Sequence, residues 1–257
     1  MQNIKLSAVI ITYNEERNIE RCLSSLKDVA DEIVVVDSFS TDMTEAICRR
    51  YGVKFMKNKF EGHIEQKNFA IQHASFRHIL SVDADEAISP ELARSIAVLK
   101  KNWNRNAYAV NRLTNYCGKW IRHGSWYPDR KIRLFVNGTG KWGGENPHDQ
   151  YMPGDQASTG KLKGDLLHYS YYSIEGHIDQ VNKFTTVGAL SALKAGRRAN
   201  HFMLIYKPCF KFIRDYFFKL GFLDGYAGFI IARISTHATF LKYAKLLELQ
   251  KNTAASD

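Results

Sequence analysis

The sequence predicts an α/β fold, a mostly parallel central sheet flanked by helices and followed by a helical C-terminal extension. Three observations predict it. Over the first ninety residues, short β-branched runs alternate with segments of helical periodicity, the pattern of parallel strands joined by crossover helices. After about residue 105 the pattern becomes apolar–polar alternation, which suits antiparallel additions to the sheet. From Ser173 the apolar spacing is helical nearly to the end.

Each element can be justified in order. Leu6–Ile11 is a short apolar strand. Ile19, Cys22, Leu23 and Leu26 follow at i, i+3, i+4 and i+7, one face of a helix. Ile33–Val36 is a second buried strand, and Asp42 with Glu45 predicts a capping box for a helix through Tyr51. Val53–Met56 is a third strand, a helix covers 65–73, and His78–Val82 is a fourth strand. Ser89-Pro90-Glu91 then provides an N-cap with proline at the first helical position. Beyond it, Tyr108, Val110 and Arg112 alternate with their neighbours, as do Ile132, Leu134 and Val136 ahead of an Asn137-Gly138 turn, and Leu162–Leu167 is a further strand. Ile174, Ile178 and Val181 open the helical C-terminal part.

Composition bounds the function. A 257-residue chain with 45% hydrophobic and 24% charged residues is long enough to bury a substantial core. Lys+Arg 36 against Asp+Glu 26 leaves a net charge of +10, which points to an anionic partner. The four cysteines have no CxxC or zinc-ribbon spacing; Cys22 and Cys48 fall on apolar helix faces and read as buried thiols in a reducing compartment. The first residues read as a strand rather than a signal peptide, and no long uncharged apolar run predicts a transmembrane helix.

In a parallel sheet, ligands bind at the carboxyl ends of the strands. That edge collects Thr12, Tyr13, Asn14 and Glu15 after strand one, Asp37 and Ser38 after strand two, and Asp83 and Asp85 after strand four. The last pair belongs to ILSVDADE, an apolar strand ending in crowded carboxylates. Such acids need a cation, hydrogen-bond donors or open water. A divalent cation is one solution: Mn²⁺ or Mg²⁺ takes oxygen ligands, commonly one or two carboxylates plus water and phosphate, and neutralises charge developing on a departing nucleoside diphosphate. A solvated turn whose acids cap backbone amides is the bland alternative.

Taken together, AVIITYNEERNIERCL, IVVVDSFSTDMT and ILSVDADE resemble the motifs of inverting glycosyltransferases of family 2, which have the GT-A fold. Within that family the chain is most similar to bacterial β-1,4-glucosyltransferases of lipopolysaccharide core assembly, over nearly its whole length. The resemblance implies a nucleotide-sugar donor, expected to be a UDP-sugar carrying glucose or a related hexose, and a lipid-linked saccharide acceptor. It implies that Thr12, Tyr13, Asn14 and Glu15 line the base pocket and that Asp37, with Ser38 beside it, accepts a hydrogen bond from the base. Asp83 matches the ribose- or metal-contacting acid and Asp85 the metal ligand. Gln66, Lys67 and Asn68 match a polar segment near the donor, with Lys67 either facing a phosphate or solvated on its helix, and Glu86 matches a supporting acid.

An inverting transfer also needs a base for the acceptor hydroxyl. GKWGGENPHDQY contains two carboxylates, Glu145 and Asp149. The family often carries His-Glu where this chain has His148-Asp149, which favours Asp149 and keeps Glu145 in reserve. Arg130 and Arg133 suit a pyrophosphate, although an alternating strand leaves Arg133 facing either ligand or solvent. Trp120, Trp126 and Trp142 are read as core in preference to a sugar-stacking floor, and His168 as structural in preference to a metal ligand.

The expected organisation is a catalytic domain over 1–195, divided into a nucleotide-binding half (1–105) and an acceptor half (106–195), and a basic, aromatic extension over 196–257. From Lys194 onward there are eleven Lys or Arg and four Asp or Glu, with Phe210, Phe212, Ile213, Phe217 and Phe218 among Lys211, Arg214 and Lys219. This pattern suits an anionic membrane surface, and with the resemblance it places the protein in the cytoplasm, peripheral on the inner face of the membrane. Alternatives are a catalytically inactive nucleotide- or glycan-binding protein of the same fold, and a nucleic-acid binder, for which no module is legible. A nucleotidyltransferase would need a glycine-rich basic phosphate loop that ITYNEE lacks.

Overall fold

The fold was obtained as a computed structural model, which describes residues 4–145 and 148–254; the side chains of Glu145, His148 and Ala254 are also outside the description. Contacts divide the chain into two units, 1–113 with 129–169, and 114–128 with 170–257. The second unit thus joins a loop from the middle of the sequence to the C-terminal part of the chain.

The first unit is built on β1 (Leu6–Thr12), β2 (Glu32–Asp37), β3 (Lys54–Lys57) and β4 (His78–Asp83), in the spatial order β3-β2-β1-β4 and all parallel. The helices α1 (Ile19–Leu26), α2 (Thr44–Arg50) and α3 (His63–Gln72) are the crossovers. The sheet continues through β8 (Asp129–Val136), β6 (Ala107–Tyr116), β11 (Thr159–Tyr171) and β5 (Glu86–Ile88), where the pairings β4–β8, β6–β8 and β11–β5 are antiparallel. The helix α4 (Pro90–Lys101) follows β5, β7 (Lys119–Trp120) pairs with the end of β6, and β9 (Gly140–Glu145) with β10 (His148–Pro153) forms a separate hairpin.

The patterning explains these elements. The helical spacing in α1 buries Ile19, Cys22, Leu23 and Leu26 together, against a core that includes Leu6, Ile10, Leu80 and Leu92. Fully burying each such aliphatic side chain contributes about 1.5–3 kcal/mol. In α4, Ser89 Oγ accepts the Leu92 amide and Pro90 occupies the first turn, as its sequence predicts. The Asp42–Glu45 capping box does not form, because the N-cap position falls on Met43, which has no side-chain cap. Asp42 Oδ1 accepts the Thr44 amide, but Glu45 turns to Arg49 and Lys57, whose cations compete for its carboxylate. Gly164 has φ +89°, and a Cβ there would collide with the backbone of Leu92, so glycine lets β11 pass close to the start of α4.

The second unit contains α5 (Ile174–Lys194), α6 (Met203–Phe212), a π-helical segment (Ile213–Phe218), a short 3₁₀ turn (Gly221–Asp224) and α7 (Gly225–Ala254), with α5 and α6 both packed on α7. Tyr116, Trp126, Tyr171 and His177 form an aromatic cluster in which Tyr116 Oη lies 3.1 Å from His177 Nδ1. Burial pushes the His177 imidazole down to about 4. Among the described residues, no helix is long and apolar enough to cross a membrane.

Candidate active site

Strand register assembles the site. Thr12 pairs with Asp37, and Ile11 with Asp83, so the carboxyl ends of β1, β2 and β4 lie side by side. The strand order reverses between β1 and β4, a switch point of the kind at which ligands bind in open α/β sheets. The three polar clusters read from the sequence therefore share one edge.

The loops after β1 and β2 hold each other. Asn14 adopts a left-handed conformation (φ 53°); its amide donates to Ser40 Oγ and its Oδ1 accepts the Thr41 amide. The Glu15 amide donates to Thr44 Oγ1. Tyr13 is exposed, whereas Thr12 is buried and its hydroxyl has no partner among the described residues. Asp37 is fully buried, and Ser40 donates to it through both its amide and its hydroxyl. The carboxylate expected to meet a nucleotide base thus organises its own loop in this structure. Asp followed three residues later by Ser is a recognisable turn pattern that could have signalled it. Ser38 Oγ accepts from Gln66 Nε2 at 3.0 Å.

The acids after β4 have different surroundings. Lys67 Nζ lies 2.8 Å from Asp83 Oδ1, an ion pair without hydrogen-bond geometry, and Arg133 Nη2 donates to Asp83 Oδ2 at 2.8 Å. Burial pushes the Asp83 carboxyl up, but Arg133 and Lys67 outweigh it and hold the group well below the usual carboxylate range. Arg133 also donates to Glu86 at 2.7 Å, and Glu86 accepts the Asp83 amide. Burial keeps the Glu86 carboxyl raised despite that partner. Asp85 is one quarter exposed and lies 3.1 Å from His168 Nε2. The antiparallel β11–β5 pairing sets His168 opposite Glu86, which carries its ring to Asp85. His168, read from the sequence as structural, therefore stands beside the expected metal ligand.

For Lys67 and Arg133 the sequence left a ligand-facing and a solvated reading open, and burial removes the solvated one. Neither is a solvated surface cation: Lys67 is 4% exposed and Arg133 is 3% exposed. A buried cation requires counter-charge. Lys67 finds it in Asp83 and in Asp149, whose Oδ2 is 2.7 Å away. The result is a line of alternating charge, Asp149–Lys67–Asp83–Arg133–Glu86, extended by Arg112 at 3.9 Å from Glu86 and paired with Asp129. Trp142 lies beneath it, 4.4 Å from Lys67 and 5.7 Å from Arg133, and packs in the core as expected. Nε and Nη1 of Arg133 have no hydrogen-bond partner among the described residues. Asp149 sits on β10 opposite Gly144. The reserve base, Glu145, has a side chain outside the described residues.

A divalent cation can be tested against this donor set. Burial pushes the Glu15 carboxyl up, a hydrogen bond from Asn18 opposes it, and the charges of Asp85, Asp42 and Asp83 push it further up. The edge is thus negative where Asp85 and His168 meet, and a carboxylate with an imidazole suits Mn²⁺. Asp83 already faces two side-chain cations. Among the described residues no three His, Cys, Asp or Glu side chains are grouped to hold a metal, so water and phosphate would complete any shell.

Comparison with known proteins bears on the family and the fold. The family model described as glycosyl transferase family 2 matches residues 7–160. An uncharacterized glycosyltransferase of Rickettsia typhi is 32% identical over 266 residues, spanning 98% of this chain and 91% of its own length. The lipopolysaccharide core biosynthesis glycosyltransferase LpsC of Rhizobium meliloti is 30% identical over 259 residues, spanning 95% and 93%. Among solved structures, the mannosyltransferase PcManGT from Pyrobaculum calidifontis, in complex with GDP-Man and Mn²⁺, shares the fold with a TM-score of 0.51 at 16% identity, over 100% of this chain and 76% of that one.

Proposed function

We propose, from the membership of this chain in glycosyl transferase family 2, that it is an inverting hexosyltransferase acting from a UDP-sugar on a lipid-linked saccharide of the lipopolysaccharide core, at the cytoplasmic face of the membrane. The observation that carries the mechanism is the Asp149–Lys67–Asp83 ion-pair line, which ties a base on the β10 hairpin to the acid that ends β4.

Asp149 is the general base. Its Oδ2 is held by Lys67, so Oδ1 takes the acceptor hydroxyl proton as that oxygen attacks the anomeric carbon opposite the nucleotide. Lys67 fixes the carboxylate in position and excludes water from one side of it. The unpartnered Nε and Nη1 of Arg133 and the Thr12 hydroxyl are buried polar groups that a bound nucleotide-sugar would satisfy. Asp85 and His168 would hold the divalent cation, which supplies charge neutralisation for the departing nucleoside diphosphate. Asp83 then orders Lys67 and Arg133, the two cations that flank the leaving group.

The test is transfer or hydrolysis from a panel of nucleotide sugars with Mn²⁺, alongside UDP binding by calorimetry. Turnover from one UDP-hexose is expected. Nucleotide binding with no turnover from any donor or acceptor would instead indicate a binding protein.

A further inference from the structure

In the second unit, a helix face is turned inside out. Along α6 and the π-helical segment, Phe202, Ile205, Cys209, Phe210, Ile213 and Phe217 recur at helical spacing and are all exposed, Phe202 at 68%, Phe210 at 58% and Phe217 at 53%. The fully buried positions on the same stretch are Pro208 and Asp215. A helix folded for water buries its apolar stripe and exposes its charges. Here the stripe is outermost although the opposite side already packs on α7.

Charge identifies what fits it. From Arg197 to Leu247 there are nine Lys or Arg, two Asp and no Glu. Both acids are consumed internally. Asp215 takes Lys211, Arg214 and the Ser125 hydroxyl, and Asp224 takes the amides of Arg122 and His123. The outer surface is consequently cationic around an aromatic ridge.

We propose that this ridge docks in the headgroup region of an anionic phospholipid bilayer, its aromatic rings among the upper acyl chains and Lys207 and Lys219 among the phosphates. A second copy of the chain would bring like charge against like charge. A nucleic acid would leave the aliphatic members of the ridge in water. A bilayer of anionic lipid satisfies both the apolar and the basic component, without any helix crossing it.

The experiment uses the full chain with vesicles of phosphatidylcholine alone and of phosphatidylcholine mixed with phosphatidylglycerol, at low and high salt. Cosedimentation with the mixed vesicles at low salt is expected, falling at high salt. Joint Lys207→Glu and Lys219→Glu substitution should weaken it roughly tenfold or more. A solvent-sensitive fluorophore on Cys209, in a Cys117→Ser background, should shift to the blue when mixed vesicles are added. Equal binding to both vesicle types overturns the proposal, as does an unshifted Cys209 probe. So does a dimer that Phe210→Ser with Phe217→Ser dissociates, or salt-dependent nucleic-acid binding without vesicle binding. The readout is lipid association, so it fails separately from sugar transfer.

Discussion

Lys67 and Asp149, 82 residues apart in sequence, meet at 2.7 Å in a pocket where the lysine is almost completely buried. The same ammonium is 2.8 Å from Asp83. One cation thus fixes two carboxylates that the proposed mechanism assigns to opposite sides of the reacting sugar.

Removing that cation should be felt in stability. Lys67→Met leaves both acids without it, and loss of one partner from a buried ion pair costs about 3–5 kcal/mol. Urea unfolding is expected to show a loss at the lower end of this range, because Asp83 retains Arg133. Lys67→Arg, which keeps the charge, should lose less. A midpoint unchanged in Lys67→Met would mean that the ion pair contributes nothing to folding.

Asp149→Asn separates chemistry from binding. Turnover should fall by roughly 10²–10⁴, while UDP affinity measured by calorimetry stays near that of the parent. Retained turnover would move the base elsewhere, with Glu145→Gln as the next variant to assay.

Metal dependence should lie with Asp85 and His168. UDP binding is expected to strengthen with Mn²⁺ in the parent and to lose that enhancement in Asp85→Ala. His168→Ala should lose part of it. Manganese enhancement persisting undiminished in Asp85→Ala would remove the cation from this edge.

The second unit should soften in mild acid. The folded-state imidazole of His177 is pushed down to about 4, against about 6.5 unfolded. The unfolded chain therefore binds more protons between these values, and stability is lost as pH falls from about 6.5 towards 4, by about 3 kcal/mol. Thermal melts of parent and His177→Phe should diverge in that window, with the variant showing the shallower dependence. Parallel melting curves would mean that the ring is accessible to protons in the fold.

Much of this was legible in advance, and particular residues show why. The α1 face, the Ser89-Pro90 cap and the grouping of Thr12, Asp37 and Asp83 follow from local rules: a period, a cap and the side of a parallel sheet on which strands end. Partner choice was not legible. Arg133 on an alternating strand reads equally as ligand-facing or solvent-facing, and the structure buries it between Asp83 and Glu86. His168 gave no local signal, because its position beside Asp85 depends on the β11–β5 register. That Asp37 also accepts from Ser40, and so shapes the loop that follows β2, was not legible either.

By itself, then, the sequence determined the layered α/β architecture, the edge on which the polar loops gather, and the excess of positive charge in the C-terminal part. Those properties are set by residues near one another in the chain. Tertiary structure alone decided which charges neutralise which, that α6 turns its aromatic side outward, and that Lys67 joins Asp83 to Asp149. A buried charge must find its counter-charge wherever the fold brings one, and the distance along the chain between the two does not limit that search.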